Sequence, residues 1–363
     1  MRAGSGHELE FRTLLLSWYD AHARDLPWRD SRDPYRVWVS EIMLQQTRVA
    51  AVIAHYHEFL RRFPTVAKLA AAREASVLAA WSGLGYYRRA RMMHASAKVI
   101  VRELDGKFPA TADGWRELPG IGRYTAAAIA SIAFEEPVAV VDGNVERVLQ
   151  RISGARLAGE ELWEAAEGLL DRSRPGDFNQ AMMELGATVC TPRAPACLTC
   201  PVMELCETRG EMAEATKATR QKKKEIHYAL TCRDGEVFLV QRAADARLMA
   251  GMWELPEVVP RAKEKQVPRS ARNDNRKNGD GKNENGSVRN GSARELLFSV
   301  RHSITVTDYT VQVWQQSVPV GMHGKWVAVD RLAKVALTGL ARKILRKAAI
   351  MRASRNRGYA YVR

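Results

Sequence analysis

No stretch of this sequence is apolar for long enough to cross a membrane, and the pattern of a secretory signal is missing. The chain is therefore expected to be soluble and cytoplasmic, with no membrane partner. Cysteine is scarce, with five in 363 residues, and four of the five crowd into Cys190–Cys206. A disulfide framework is not expected in a reducing compartment, so such a cluster reads as metal ligands. Cys232 stands alone in an apolar stretch and reads as a small core residue. Acidic residues are outnumbered, 41 against 56 Lys and Arg, and the net charge of +15 points to a polyanionic partner, nucleic acid first, and to association with the nucleoid. Residues from about 259 to 294 hold almost no large apolar side chains and read as a disordered insertion. The tail 351–363 contains no acid and reads as a flexible, phosphate-seeking end.

What is present up to residue 210 has helical rather than alternating period. Leu9, Leu14, Leu15 and Trp18 set a first helix, which Arg24-Asp25-Leu26-Pro27-Trp28-Arg29 breaks into a loop with an exposed Trp. Asp33-Pro34 opens a second helix, with Asp as N-cap and Pro at the first position. On it Glu41 shares a face with Val37 and Leu44. A carboxyl on an apolar face loses hydration and holds its proton, as a general acid must, unless a nearby Arg pairs with it. The turn Gly83-Leu84-Gly85-Tyr86-Tyr87, with the basic helix start Arg88-Arg89-Ala90-Arg91, suits insertion into a base stack and contact with the backbone, or packing of a Tyr under a helix start.

Leu118-Pro119-Gly120-Ile121-Gly122-Arg123-Tyr124-Thr125-Ala126 places two glycines before an Ala- and Ile-rich helix. Such a turn either directs free backbone N–H groups outward, where they bind phosphate without reading sequence, or is an ordinary helix–turn–helix corner. Asp142-Gly143-Asn144 follows an apolar run, and Asp142 is either the cap of the next helix or an ionised catalytic carboxylate. Cys190, Cys197, Cys200 and Cys206 have Cys-x6-Cys-x2-Cys-x5-Cys spacing, which suits tetrahedral zinc or a [4Fe–4S] cluster. Arg193 lies inside the loop, in reach of phosphate.

Composition changes after the cluster. A basic connector, 211–225, leads to a second domain, 226–350, with strands on both sides of an Asp234-Gly235 turn, at 297–300 and at 309–314, and a basic helix from about 340 to 352. The expected architecture is an all-helical domain over 7–210 followed by a smaller α+β domain.

Together these motifs resemble the helix-hairpin-helix DNA glycosylases, specifically the adenine-specific branch that shares an iron–sulfur loop with endonuclease III. The resemblance is strong over 8–209 and weaker over 226–345. It rests on Leu26 to Arg29, Val39 to Thr47, Gly83 to Tyr87, the glycine hairpin, Val141 to Val145, Phe178-Asn179-Gln180-Ala181 and the four cysteines. It implies a [4Fe–4S] cluster on Cys190, Cys197, Cys200 and Cys206. It also implies hydrolysis of the N-glycosidic bond of adenine opposite 8-oxoguanine or guanine, on a base flipped into a pocket between two helical subdomains.

Residue by residue, Glu41 matches the general acid, Asp142 the carboxylate facing the sugar cation, and Tyr124 and Asn144 their supports. Arg24, Trp28, Leu44 and Gln180 match pocket walls. Gln46 and Tyr86 match probes of the opposite base; Arg88, Gly120, Gly122 and Arg193 are the candidate contacts to DNA from the reading of their own turns and loop above. The resemblance implies a monomer acting on duplex DNA. Endonuclease III-like relatives carry Lys at the position of Tyr124, and a Tyr forms no Schiff base, so strand cleavage is not expected.

The second domain resembles a Nudix-like reader of 8-oxoguanine through Gln241-Arg242 and Gly251 to Pro256, without the Arg-Glu-x-x-Glu-Glu run of nucleotide hydrolases. Where the family has Phe-Ser-His, this chain has Ile304-Thr305-Val306, keeping only the hydroxyl, on Thr305. The competing readings are a bifunctional pyrimidine glycosylase and a non-catalytic DNA-binding protein.

Overall fold

The computed structural model describes residues 5–212, 222–246, 248–259, 295–304, 307–319 and 321–351. Thr305, the insertion from 260 onward and the tail from 352 onward lie outside the described residues. The chain divides into two compact units, with the boundary between Lys217 and Ala218.

The first unit is helical throughout: α1 Ser5–His22, α2 Pro34–Leu44, α3 Val49–Arg62, α4 Val66–Ala70, α5 Glu74–Trp81, α6 Arg88–Glu103, α7 Ala112–Arg116, α8 Arg123–Phe134, α9 Gly143–Ser153, α10 Glu160–Leu169 and α11 Pro175–Thr188. Asp33 caps α2 by accepting from the Arg36 N–H, with Pro34 in the first turn. After α10, Asp171 Oδ1 accepts from the N–H groups of Ser173 and Arg174 and turns the chain ahead of Pro175.

Two cores form. One surrounds the fully buried Trp38, Trp81 and Trp115 of α2, α5 and α7. The other joins Phe11 and Leu15 of α1, Val145 and Leu149 of α9, Leu162 of α10 and Phe178 and Leu185 of α11, with Cys190 and Cys200 against it. Helix α11 reaches the first turn of α9 because residue 186 is glycine: a Cβ there would stand 2.6 Å from Asn144 Cβ and 2.9 Å from the Asn144 carbonyl oxygen.

In the second unit, β1 Lys222–Leu230 pairs in parallel with β6 Thr307–Gln315, which pairs antiparallel with β5 Glu295–Ile304. A second sheet joins β2 Cys232–Arg233, β3 Glu236–Gln241, β4 Trp253–Glu254 and β7 Lys325–Ala328. Helix α12, Gly339–Lys347, buries Leu340, Ile344 and Leu345 in the core between these elements.

Three expectations change here. The Asp234-Gly235 turn, left-handed at both residues, closes only the short β2–β3 hairpin, because β1 is taken by β6. The last residues of the expected connector, Lys222–Glu225, belong to β1. Cys232 is exposed at the hairpin edge rather than in the core.

Candidate active site

Four elements of the first unit converge on one cavity of about 750 Å³. Helix α2 contributes Glu41 and Leu44, the start of α8 Tyr124, the start of α9 Asp142 and Asn144, and α11 Gln180, Met183 and Glu184. The loop after α1 closes it with Arg24, Trp28 and Arg29, and Gln46 stands at its rim.

Glu41 is only 5% exposed, and burial pushes its carboxyl up from 4.5 to about 7. The Tyr124 hydroxyl donates to Oε2 at 2.7 Å and pulls the other way, while the charge of Asp142 adds to the rise and that of Arg29 opposes it. Its direct partner is thus a hydroxyl and not an arginine. Tyr124 also lies 3.5 Å from Met183 Sδ; burial, then the charges of Glu41 and Asp142, keep its phenol protonated far above the ordinary range.

Asp142 caps α9 and also lines the cavity. Its Oδ1 caps α9 by accepting from the Asn144 and Val145 N–H groups, at 2.8 Å each, and Oδ2 accepts from Asn144 Nδ2 at 3.0 Å. Arg147, one turn on, donates to Asn144 Oδ1 at 2.8 Å and to the carbonyls of Gly186 and Cys190. The Asp142 carboxyl group is thus held by three N–H donors.

The far wall is an ion-pair knot. Glu184, buried on α11, accepts from Arg24 at 2.5 and 2.8 Å and from Arg29 at 2.8 Å. Burial raises its pKa, but the two arginines outweigh that and hold it below the usual carboxylate range. The knot fastens the Arg24–Arg29 loop to α11. Trp28, expected on the surface, is instead buried edge-on against Tyr56 of α3, 5.6 Å between ring centres. Sequence reasoning named Arg24 but not Glu184 or Arg29. The signals were Arg29 inside the Leu-Pro-Trp-Arg motif and Glu184 four residues past Gln180.

The remaining site residues lie off the cavity. Tyr86 is half exposed while Tyr87 is buried, and Arg88 is exposed at the start of α6. In the glycine hairpin only Gly120 is left-handed, at φ +77, and a Cβ on it would overlap the Met92 side chain. Gly122 is extended, with open space where its Cβ would be, and it N-caps α8 without a side-chain hydrogen bond. Its bareness leaves the first N–H groups of α8 accessible.

Beyond α11 the chain wraps the end of α9. Cys190 follows α11, Cys197 and Cys200 flank a short 3-10 turn, Cys206 follows another, and Glu207 and Thr208 return to the carbonyls of Ile152 and Arg151. Buried Arg151 donates to Cys190 Sγ at 3.3 Å and to the Thr191 and Pro192 carbonyls, and the Arg209 N–H reaches Cys206 Sγ at 3.5 Å. Burial raises the Cys200 thiol to about 11, the Val202 N–H opposes that rise, and the charges of Cys190, Cys206 and Cys197 add to it. N–H donors aimed at the sulfurs fit a thiolate-held group. Among the described residues no three ligand side chains close to the spacing of a single ion. Arg193 is exposed on the same loop.

The helix-hairpin-helix arrangement is matched by known proteins. Residues 39–168 match the HhH-GPD superfamily of base excision DNA repair proteins. A solved thermostable thymine-DNA glycosylase superposes with a TM-score of 0.53 at 30% identity, over 56% of this chain and 97% of that one. The chain belongs to the HhH-GPD superfamily. Within the superfamily, adenine DNA glycosylase of Mus musculus is 41% identical over 311 residues, 68% of this chain and 60% of the relative. That of Homo sapiens is 50% identical over 219 residues, 56% of this chain and 40% of the relative. The chain spans about 60% of the length of the mouse and rat relatives it matches. Residues 227–347 match the NUDIX domain, so the second unit is NUDIX-like.

Proposed function

We propose that this chain is a monofunctional adenine DNA glycosylase that removes adenine opposite 8-oxoguanine or guanine from duplex DNA and leaves an abasic site. The observation that carries the reading is Glu41, a carboxyl kept protonated near neutral pH by burial, on the same cavity as the hydrogen-bonded carboxylate of Asp142. The names of the mammalian and plant relatives point the same way.

A flipped adenine enters the cavity between Trp28, Leu44 and Gln180. Glu41 gives its proton to N7, the bond from C1′ to N9 breaks, and the base leaves neutral with the bond electrons. Asp142 stabilises the cationic sugar, by charge or by a transient adduct. Water then adds to C1′, and its proton restores Glu41. Tyr124 and Asn144 orient the two carboxyl groups, and with no amine at position 124 the strand stays intact.

Gln46 and Tyr86 meet the opposite base, and the backbone N–H groups at Gly120 and Gly122, with Arg88 and Arg193, meet phosphates. The NUDIX-like unit reads 8-oxoguanine through the segment after His302-Ser303, where Thr305 supplies a hydroxyl but no aromatic partner. Weak preference for 8-oxoguanine over guanine is the expected consequence. Cys190, Cys197, Cys200 and Cys206 would hold a [4Fe–4S] cluster, which would tie the loop into one folded piece through four thiolate bonds. The enzyme acts as a monomer.

The deciding test is a single-turnover assay on duplexes with A opposite 8-oxoguanine, A opposite G, T opposite G, and thymine glycol, developed with and without hot alkali. Strand breaks at adenine that appear only after alkali are expected. Alkali-independent nicking at thymine glycol would move the chain to the endonuclease III type, and binding without base release to a non-catalytic role. Iron and sulfide assays on the purified protein distinguish the cluster from zinc.

A further inference from the structure

Arg89 lies in the first turn of α6, and its guanidinium is tied to two separate segments of the chain. Nη1 donates to the carbonyls of Ile42, Met43 and Gln45, at 2.8, 3.1 and 2.5 Å. Nη2 donates to Thr47 Oγ1 at 3.2 Å and to the carbonyls of Leu84 and Gly85, at 3.2 and 3.3 Å. The planar group also lies 5.5 Å from the ring centres of both Trp81 and Tyr86. One nitrogen thus gathers the end of α2, and the other joins that end to the glycine turn.

The two segments it joins carry strain. Gln46, just past α2, sits at φ +54, and Tyr86 in the turn at φ +46, both left-handed residues that are not glycine. Such backbones persist only where the surroundings over-determine them. The carbonyls that Arg89 holds immediately precede these two residues, those of Gln45 and Gly85. A cation is also well placed beside carbonyls at the end of α2, where the helix dipole is negative.

We propose that Arg89 is a positioning residue that locks the Gln46 turn and the Tyr86 turn into a single rigid reading head for the base opposite the target adenine. It acts through the two turns and touches neither the flipped base nor the opposite one. The inference rests on the glycosylase reading, with Gln46 and Tyr86 as the residues that meet the opposite strand. The fork geometry is essential: a lysine ammonium has no planar fork of donors with which to span both segments, nor does it stack flat on Tyr86.

The experiment compares wild type, Arg89→Lys and Arg89→Met as full-length protein. Single-turnover rates are measured on A opposite 8-oxoguanine, G and T, together with affinity for undamaged duplex, thermal midpoint and amide hydrogen exchange. In Arg89→Lys, which keeps the charge and the stem, the ratio of rates between opposite bases is expected to collapse by roughly tenfold or more, the scale of one charge-assisted contact. Exchange should rise together in 42–48 and 83–88 and stay unchanged in α8 and α9. Duplex affinity and thermal midpoint should stay near wild type, and Gln46→Ala added to Arg89→Lys should cost little more. Full selectivity in Arg89→Lys overturns the proposal. So does an equal fall of all three rates in step with the thermal midpoint, which marks Arg89 as structural only. Should Arg89→Met fail to fold, Arg89→Lys alone decides. A wild type that releases no adenine from any duplex removes the glycosylase reading instead, and the exchange measurement still reports whether Arg89 couples the two turns.

Discussion

The Tyr124 hydroxyl donates to Glu41 Oε2 at 2.7 Å, and the carboxyl it touches is one that burial has lifted to about 7. The two effects oppose each other: loss of water favours the protonated acid, and the hydrogen bond favours its anion. The balance leaves a group that exchanges its proton close to neutral pH.

Tyr124→Phe removes the term that favours the anion, so the Glu41 pKa rises further. If adenine release requires the protonated acid, it is expected to decline above about pH 7 in wild type. In Tyr124→Phe that decline is expected at higher pH, measured in single-turnover pH profiles. An unmoved decline would show that the contact has no hold on the acid.

The same carboxyl makes folding pH-dependent. Its folded pKa lies above the unfolded value, so its stabilising contribution is complete below about 4.5 and is lost as pH rises to about 7. The loss is on the order of 3 kcal/mol. Thermal midpoints of Glu41→Gln should therefore vary less with pH across this window than those of wild type. Parallel curves would mean that Glu41 is better hydrated than its burial indicates.

Glu41→Gln and Asp142→Asn are expected to abolish base release, by roughly a thousandfold or more, while duplex affinity stays within a few-fold. Asn at position 142 still offers an oxygen to cap α9, so that variant should keep its folding stability within about 1 kcal/mol of wild type. A parallel loss of binding and activity would return both residues to purely structural roles.

The two hairpin glycines should fail differently. Gly120→Ala forces a side chain into a left-handed backbone and against Met92, and should cost about 1–3 kcal/mol of stability. Gly122→Ala meets open space at an extended backbone and should leave stability within about 0.5 kcal/mol. Its new methyl group covers the start of α8, so duplex affinity is expected to fall there with little change in melting. Equal thermal losses in both variants would contradict this division.

The sequence shows helix boundaries where local chemistry sets them. Asp33-Pro34 marks the start of α2 because capping and the proline ring both act within one turn. The four thiols are visible from spacing alone because their loop is short. What stayed hidden depends on partners far along the chain. Arg29 and Glu184 are 155 residues apart, and only the fold brings them together. Trp28 looks exposed until Tyr56 arrives from α3. A run such as Lys222–Leu230 reads as a strand, but its period does not announce that its neighbour is Thr307–Gln315 or that the pairing is parallel. The glycine hairpin reads as one unit, although Gly120 answers to backbone strain and Gly122 to open access.

Gly186 lines no part of the cavity, yet it is the point where α11 rests directly on Asn144, with no side chain between them. A methyl group there has no flexible neighbour to displace, because it faces backbone and a Cβ, so the first turn of α9 must yield and carry Asp142 with it. Substitution at this glycine would look harmless on any map of ligand contacts. Its harm would be mechanical, a wedge driven under the carboxylate, and it would surface as lost activity in a protein that still binds its duplex.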